Sequence, residues 1–277
     1  MSSVDIPTSP LPVPPELQRG GHKTREEWLE SGRFAVELLC RTLGSNNLSG
    51  VRLLDVGCGT KVVKTLIDDS IPVGRYVGID ASAEVIEWLK ANVSDPRFEF
   101  HHLDAHNTMY NAEGSDLASF EALPVGGRRF DLICLFSVFT HLAPHDYVAM
   151  LRLLRRHAKP DAKLVFSLFL RDREREANFA KSIDEALASP DPEIRKRTEE
   201  AVARGRARRA AEEDRRFADA IPDRPLEIAR YEPDYALELV RDTGWEVLEL
   251  HPPERYIQHY MICQRPPLAA EVHERTG

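Results

Sequence analysis

From Val51 onward the chain alternates short apolar runs with amphipathic stretches, and this rhythm constrains the fold more than any other feature. Val51–Val56 (VRLLDV), Arg75–Ile79 (RYVGI), Phe98–Leu103, Phe130–Phe136 (FDLICLF) and Leu164–Leu170 (LVFSLFL) read as five strands. Between them, Lys61–Ile67 opens one helix, and Val85, Ile86 and Leu89 give a second an apolar face behind a Ser82 cap. Tyr147, Met150, Leu151 and Leu154 do the same for a helix over Pro144–His157. Strands separated by helices run parallel, because the helix must carry the chain back across the sheet. Leu164–Leu170 is the most hydrophobic run, which places it centrally, where both faces are covered. Trp245–Leu250 and Tyr256–Cys263 are joined by His251-Pro252-Pro253-Glu254, a connector suited to an antiparallel turn. The pattern predicts an α/β, doubly wound, mostly parallel seven-stranded sheet whose last strand is antiparallel.

Two segments stand outside this rhythm. Residues 24–43 form a helix before the first strand, and residues 171–230 are long, charged and alanine-rich, broken near Ser189-Pro190-Asp191-Pro192. The second segment reads as two inserted helices leading to a helix over Tyr235–Asp242, and its Phe179, Ile183 and Leu187 recur every four residues, a stripe that either packs on the sheet or faces the site as a lid. Arginines crowd Arg195–Arg216, but Glu199, Glu200, Glu212, Glu213 and Asp214 are interleaved at helical spacing, the pattern of a solvated, ion-paired helix. Pro7–Pro15 marks residues 1–20 as a disordered, proline-rich leader, residues 21–265 as the single domain, and 266–277 as a tail.

Composition narrows the class. Hydrophobic residues make up 42% and charged ones 30%, enough for a full core and a soluble surface. No apolar run approaches the ~20 residues of a membrane helix. The net charge of −8 disfavours a nucleic-acid partner, which needs a clustered basic surface. Cys40, Cys58, Cys134 and Cys263 lie far apart without a C-x-x-C pair, so neither disulfides nor structural zinc are expected. A cytoplasmic protein, monomeric or homodimeric and without a membrane partner, is the expectation.

Chemistry concentrates in Leu53-Leu54-Asp55-Val56-Gly57-Cys58-Gly59-Thr60. Two near-adjacent glycines after a strand let the backbone approach a ligand, and the next helix offers free N–H groups. Asp80 ends the second strand 23 positions after Gly57, where an acid accepts from ribose hydroxyls. Together these point to an adenosine-containing ligand. Val62 stands where the dinucleotide fingerprint G-x-G-x-x-G requires its last glycine. The D-V-G-C-G-T run instead resembles the first motif of class I S-adenosylmethionine-dependent methyltransferases, and the resemblance runs from about Gly21 to Arg265. It implies a Rossmann-like fold of strand order 3-2-1-4-5-7-6 and S-adenosyl-L-methionine as cofactor. By the same resemblance the cofactor is held by Asp55, Gly57 and Gly59, and by Asp80 and Ala81 of VGIDAS. Asp104 and Ala105 of HHLDAH stand at the adenine, and Phe136 and Ser137 beside the sulfonium. The helix before the first strand often covers the cofactor in this family, which puts Arg33 near the methionine carboxylate. The run Phe136-Ser137-Val138-Phe139-Thr140-His141-Leu142, Lys159-Pro160 and the loop Asn107–Gly114 are similar to a bacterial small-molecule branch. Two positions depart from the family pattern: Lys61 replaces a third glycine, where it either crowds the loop or contacts the methionine carboxylate, and Asp161-Ala162 replaces a glycine pair.

Methyl transfer to an alcohol needs a base for the departing proton. His141, just past the fourth strand at the carboxyl edge, is the candidate; its alternative is packing beside the cofactor. His101, His102 and His106 cluster with Asp104, but His101 and His102 alternate across the strand and show no metal-ligand spacing, so no metal is expected. The leading expectation is O-methylation of a small polar acceptor such as a sugar or natural product. N-methylation of a small molecule is the rival, although the D/N-P-P-Y/F signature of exocyclic-amine methylation on nucleic acids is absent from Phe136–Phe139. A non-catalytic cofactor-binding or partner module is the third reading, prompted by Lys61.

Overall fold

The computed structural model describes residues 11–20, 22, 24–171, 185, 187–199, 216–219, 226–254 and 258–267. Helix α1 (Arg25–Thr42) starts where Thr24 accepts a hydrogen bond from the Glu27 N–H, as the T-x-x-E spacing dictates. Then follow β1 (Leu48–Val56), α2 (Lys61–Asp68), β2 (Val73–Asp80), α3 (Ala83–Asn92, capped by Ser82), β3 (Phe98–His102), β4 (Phe130–Leu135), α4 (Pro144–His157) and β5 (Ala158–Leu170). After the insertion come β6 (Phe217–Asp219), β7 (Ala229–Tyr231), α5 (Pro233–Asp242), β8 (Glu246–His251) and β9 (His259–Gln264).

The main sheet has the order β3-β2-β1-β4-β5-β9-β8. Strands β1 to β5 pair in parallel, and β9 is antiparallel to both of its neighbours. This is the expected seven-stranded topology, with the hairpin inserting its last strand beside β5. Alternation along the strands divides the core into two layers. Leu53, Tyr76, Phe100, Leu132 and Val165 pack under α1, α2 and α3; Leu54, Val77, Ile133, Leu164 and Phe166 pack under α4 and α5. Strand β5 starts earlier than its apolar run, and Asp161 within it takes φ +63° at a place where the family carries glycine.

Two expectations are corrected. The insertion is not helical throughout: residues 192–199 are helical, but β6 and β7 form a small antiparallel pair, and β7 runs parallel to Phe169–Leu170 of β5. Strand β9 stops pairing at Leu168, so the last two residues of β5 offer an unpaired edge that β7 completes. Phe179, Ile183 and the arginines between 203 and 215 lie outside the described residues. Second, the leader is packed along residues 11–20. Leu11, Val13 and Leu17 are buried, the Lys64 ammonium donates to the Leu11 carbonyl, and the Leu11 N–H donates to Asp68. Proline-rich composition mimics disorder, but these three apolar side chains find a surface on α2, far away in sequence.

Candidate active site

The loop after β1 is shaped by its glycines. Gly57 and Gly59 have φ of +67° and +45°, and a Cβ on Gly57 would lie 2.4 Å from Val138, so the β4–α4 loop closes directly onto this turn. A Cβ on Gly59 would meet nothing within 4 Å, which leaves open space on that side of the loop. The N–H groups of Gly57 and Cys58 both donate to the Ile79 carbonyl, and the Gly59 N–H donates to Asp80 Oδ2 at 2.8 Å. Asp80 Oδ1 accepts the Ser82 N–H at 2.8 Å. Asp80 therefore joins the glycine loop to the start of α3, and each of its oxygens retains a lone pair. Burial raises its pKa, opposed by the Ser82 and Gly59 N–H groups and by Arg19.

Asp55 is buried beneath the loop, where its Oδ2 accepts the Tyr76 hydroxyl at 2.7 Å. Desolvation pushes its pKa up to about 6, against the hydrogen bonds from Tyr76 and Cys134. It braces the loop from the core side.

Lys61, at the first position of α2, turns its amine toward residues 20–22. Nζ lies 3.2 Å from His22 Nε2 and 3.8 Å from where a Gly20 Cβ would stand. Desolvation lowers the Lys61 pKa to about 8, with Asp55 opposing. His22 is lowered too, by burial first and then by the Lys61 charge. Arg33 does not join this group, which corrects the expectation for it. Its guanidinium is exposed and donates to Asp69 at 2.9 Å, at the far end of α2 from the glycines. The helical phase of α1 sends position 33 outward, while Gly32 packs so tightly on Lys61 and Thr65 that an added Cβ would fall 2.4 Å from Thr65 Oγ1.

A roof forms over Asp80 from two segments. Residues 11–20 are held to the loop by Thr60, whose hydroxyl donates to the Leu17 carbonyl at 2.9 Å. Arg19 then donates to Ser82 Oγ at 2.9 Å and stacks its guanidinium 4.5 Å from the centroid of the Tyr110 ring. Tyr110 belongs to the loop after β3, which folds back through Asn111: its amide donates to Asp104 Oδ1 and the Ala105 carbonyl. Asp104 is exposed and Ala105 is buried at this edge. Arg19 and Tyr110 escape sequence reasoning, since a lone arginine in a leader and a loop tyrosine carry no pattern; their signal is spatial.

The histidines near β3 separate as alternation requires. His101 Nε2 lies 2.5 Å from Glu99, which also binds Arg128, whereas His102 Nε2 donates to the Ala81 carbonyl at 3.0 Å. Among the described residues no three His, Cys, Asp or Glu side chains gather as metal ligands would.

At the end of β4, Phe136 packs partly buried against the α1 layer, and Ser137 adopts φ +60°. The Ser137 N–H donates to Ser167 Oγ at 2.7 Å and its hydroxyl accepts from the Gln258 amide at 3.0 Å, so β4, β5 and β9 are tied together beside the glycine loop. His141 ends the following turn (Phe139–His141), and its Nδ1 lies 3.1 Å from the Leu226 carbonyl oxygen. A carbonyl can only accept, so Nδ1 carries the proton in this contact. Burial lowers the His141 pKa, and the backbone of Leu226 and Glu227, with the Glu227 charge, opposes this.

The strand order and an acid at the end of β2 facing a glycine turn define an open α/β nucleotide-binding enzyme. Residues 22–250 match the methyltransferase domain family, and the chain belongs to it: it is an S-adenosylmethionine-dependent methyltransferase. Solved structures agree in fold. The magnesium protoporphyrin IX methyltransferase of Synechocystis PCC 6803, with S-adenosylhomocysteine bound, superposes with TM-score 0.51 at 13% identity, over 90% of this chain and 91% of that one. The 1,6-didemethyltoxoflavin-N1-methyltransferase of Burkholderia thailandensis gives 0.51 at 15% identity, over 87% and 82%.

Proposed function

We propose that this chain methylates a hydroxyl group of a small polar molecule, with His141 as the general base. The observation that carries this is the hydrogen bond from His141 Nδ1 to the Leu226 carbonyl, which fixes the tautomer a base requires. Burial favours the neutral ring at pH 7, so the acceptor nitrogen is available without prior deprotonation.

The residues at the loop fit the cofactor. The open side of Gly59 accommodates a ligand against the backbone, and the remaining Asp80 lone pairs suit ribose hydroxyls. Of the two cations the sequence offers for the methionine carboxylate, Arg33 and Lys61, it is Lys61 that supplies it; its amine has a histidine nitrogen beside it. Asp104 and Ala105 border the adenine and Ser137 the sulfonium. When bound, S-adenosylmethionine supplies an electrophilic methyl group. His141 Nε2 would take the proton of the acceptor hydroxyl as that oxygen is methylated. Arg19 and Tyr110 roof the ribose end and exclude water from it. The segment just before β7 borders the acceptor, as its Leu226 carbonyl reaches His141.

A screen of hydroxyl and amine acceptors with radiolabelled cofactor tests this reading. Turnover confined to hydroxyls, lost ~100-fold or more in His141→Ala with S-adenosylhomocysteine affinity retained, is expected. Amine-only turnover, or a His141→Ala enzyme of normal rate, overturns it.

A further inference from the structure

We propose that Asp219 is a positioning residue for His141, acting through the Leu226 backbone; the inference deepens the reading of His141 as base and rests on it. Leu226 has φ +58°, a left-handed conformation in which a side chain crowds its own backbone. A leucine there persists only where its surroundings hold it. Among the described residues, a directed hydrogen bond holds it: the Leu226 N–H donates to Asp219 Oδ2 at 2.8 Å. The same residue's carbonyl, turned by that conformation, receives His141 Nδ1 at 3.1 Å.

Asp219 is itself well placed to set a geometry. It lies on β6 opposite Ala229 of β7, and β7 continues the edge of β5 through Phe169 and Arg230. The path from the rigid sheet to the imidazole is therefore short: β5, β7, β6, the Asp219 carboxylate, the Leu226 peptide, the ring. A second tie from the same hairpin reinforces it. The Tyr231 hydroxyl donates to the Leu142 carbonyl at 2.5 Å, pinning the backbone one residue beyond His141. The hairpin so orients the ring from its side-chain end and from its main chain. Glu227, the next residue, also acts on the imidazole, through its backbone and through its carboxylate charge. In this arrangement the insertion does more than border the acceptor: it decides which imidazole nitrogen carries the proton.

The test needs no acceptor. In the full-length protein labelled with 15N-histidine, the ring nitrogens of His141, assigned by comparison with His141→Gln, report tautomer and titration midpoint directly. The wild type is expected to show one neutral tautomer, protonated at Nδ1. Asp219→Ala should lose that single-tautomer signature and shift the midpoint, Asp219→Asn should keep it through its amide oxygen, and Leu226→Gly added to Asp219→Ala should restore it. Glycine adopts positive φ unaided, so restoration separates positioning from a general structural role. If Asp219→Ala does not fold, Asp219→Ser gives the same reading with a shortened side chain. A wild-type ring protonated at Nε2, or a folded Asp219→Ala or Asp219→Ser protein with an unchanged His141 spectrum, overturns the proposal. The outcome is independent of the base assignment: normal turnover by His141→Ala sinks the base and leaves the tautomer result standing.

Discussion

Lys61 and Arg33 show how a single position reverses a functional assignment. By the resemblance Arg33 lies on the helix that often covers the cofactor, and Lys61 stands in the glycine loop itself. Helical phase decides between them: Arg33 is turned to Asp69, and Lys61, where glycine is usual, bends its amine toward His22. Its lowered pKa gives a pH dependence with a definite sign. The charged amine binds a carboxylate, so affinity for S-adenosylhomocysteine should hold below about pH 8 and decline above it, as binding must then first protonate the lysine. Titration calorimetry across pH 7–9.5 (roughly the window around that pKa) reads it, with Lys61→Met expected to bind more weakly and with a flatter profile. A wild-type affinity independent of pH over that window would speak against Lys61.

Asp55 makes a second residue-scale prediction. Its folded pKa of about 6 exceeds the usual carboxylate value, so the native state holds the proton more tightly than the unfolded chain. Above pH 6 the buried charge destabilises the fold, and below the unfolded pKa near 4 the penalty vanishes. Asp55→Asn should therefore raise stability at pH 8 by up to ~3 kcal/mol, a gain that closes as pH falls. Denaturant unfolding at pH 8 and pH 4.5 (one either side of the shifted value) checks this; an equal effect at both would contradict it.

At the scale of elements, legibility followed length and locality. Strands β1, β2, β4 and β5 were readable because each is a run of apolar residues buried on both faces, and α4 because its apolar side chains keep helical spacing. Strands β6 and β7 were not: three residues each, inside a charged stretch, they exist because β5 outruns β9 and leaves backbone to be paired. Residues 11–20 were misjudged for a related reason, since their partners on α2 are remote in sequence. That packed leader carries its own prediction. Arg19→Ala removes both the Ser82 hydrogen bond and the stack on Tyr110, opening the roof above Asp80. Stopped-flow displacement should show S-adenosylhomocysteine leaving several-fold faster, in line with loss of a stacking contact of about 1 kcal/mol. An unchanged dissociation rate would remove the leader from the cofactor's exit path.

Across the whole molecule, the sheet collects its chemistry at one edge. The carboxyl ends of β1, β2, β3 and β4 present the glycine turn, Asp80, the Asp104 loop and His141, while Leu226 and the leader's Arg19 reach the same edge from segments remote in sequence. The glycine turn and Asp80 were legible because they follow strands at fixed spacing; the roof and the Leu226 contact were not, because they are meetings between segments with no shared pattern. We infer that this edge holds S-adenosylmethionine through Asp80. The most direct test is calorimetric titration of the full-length protein and of Asp80→Ala with S-adenosylhomocysteine. One site per chain and a loss of roughly 1.5–3 kcal/mol in the variant are expected, the range for hydrogen bonds to a charged group. Equal affinities in the two proteins, both folded, would contradict it.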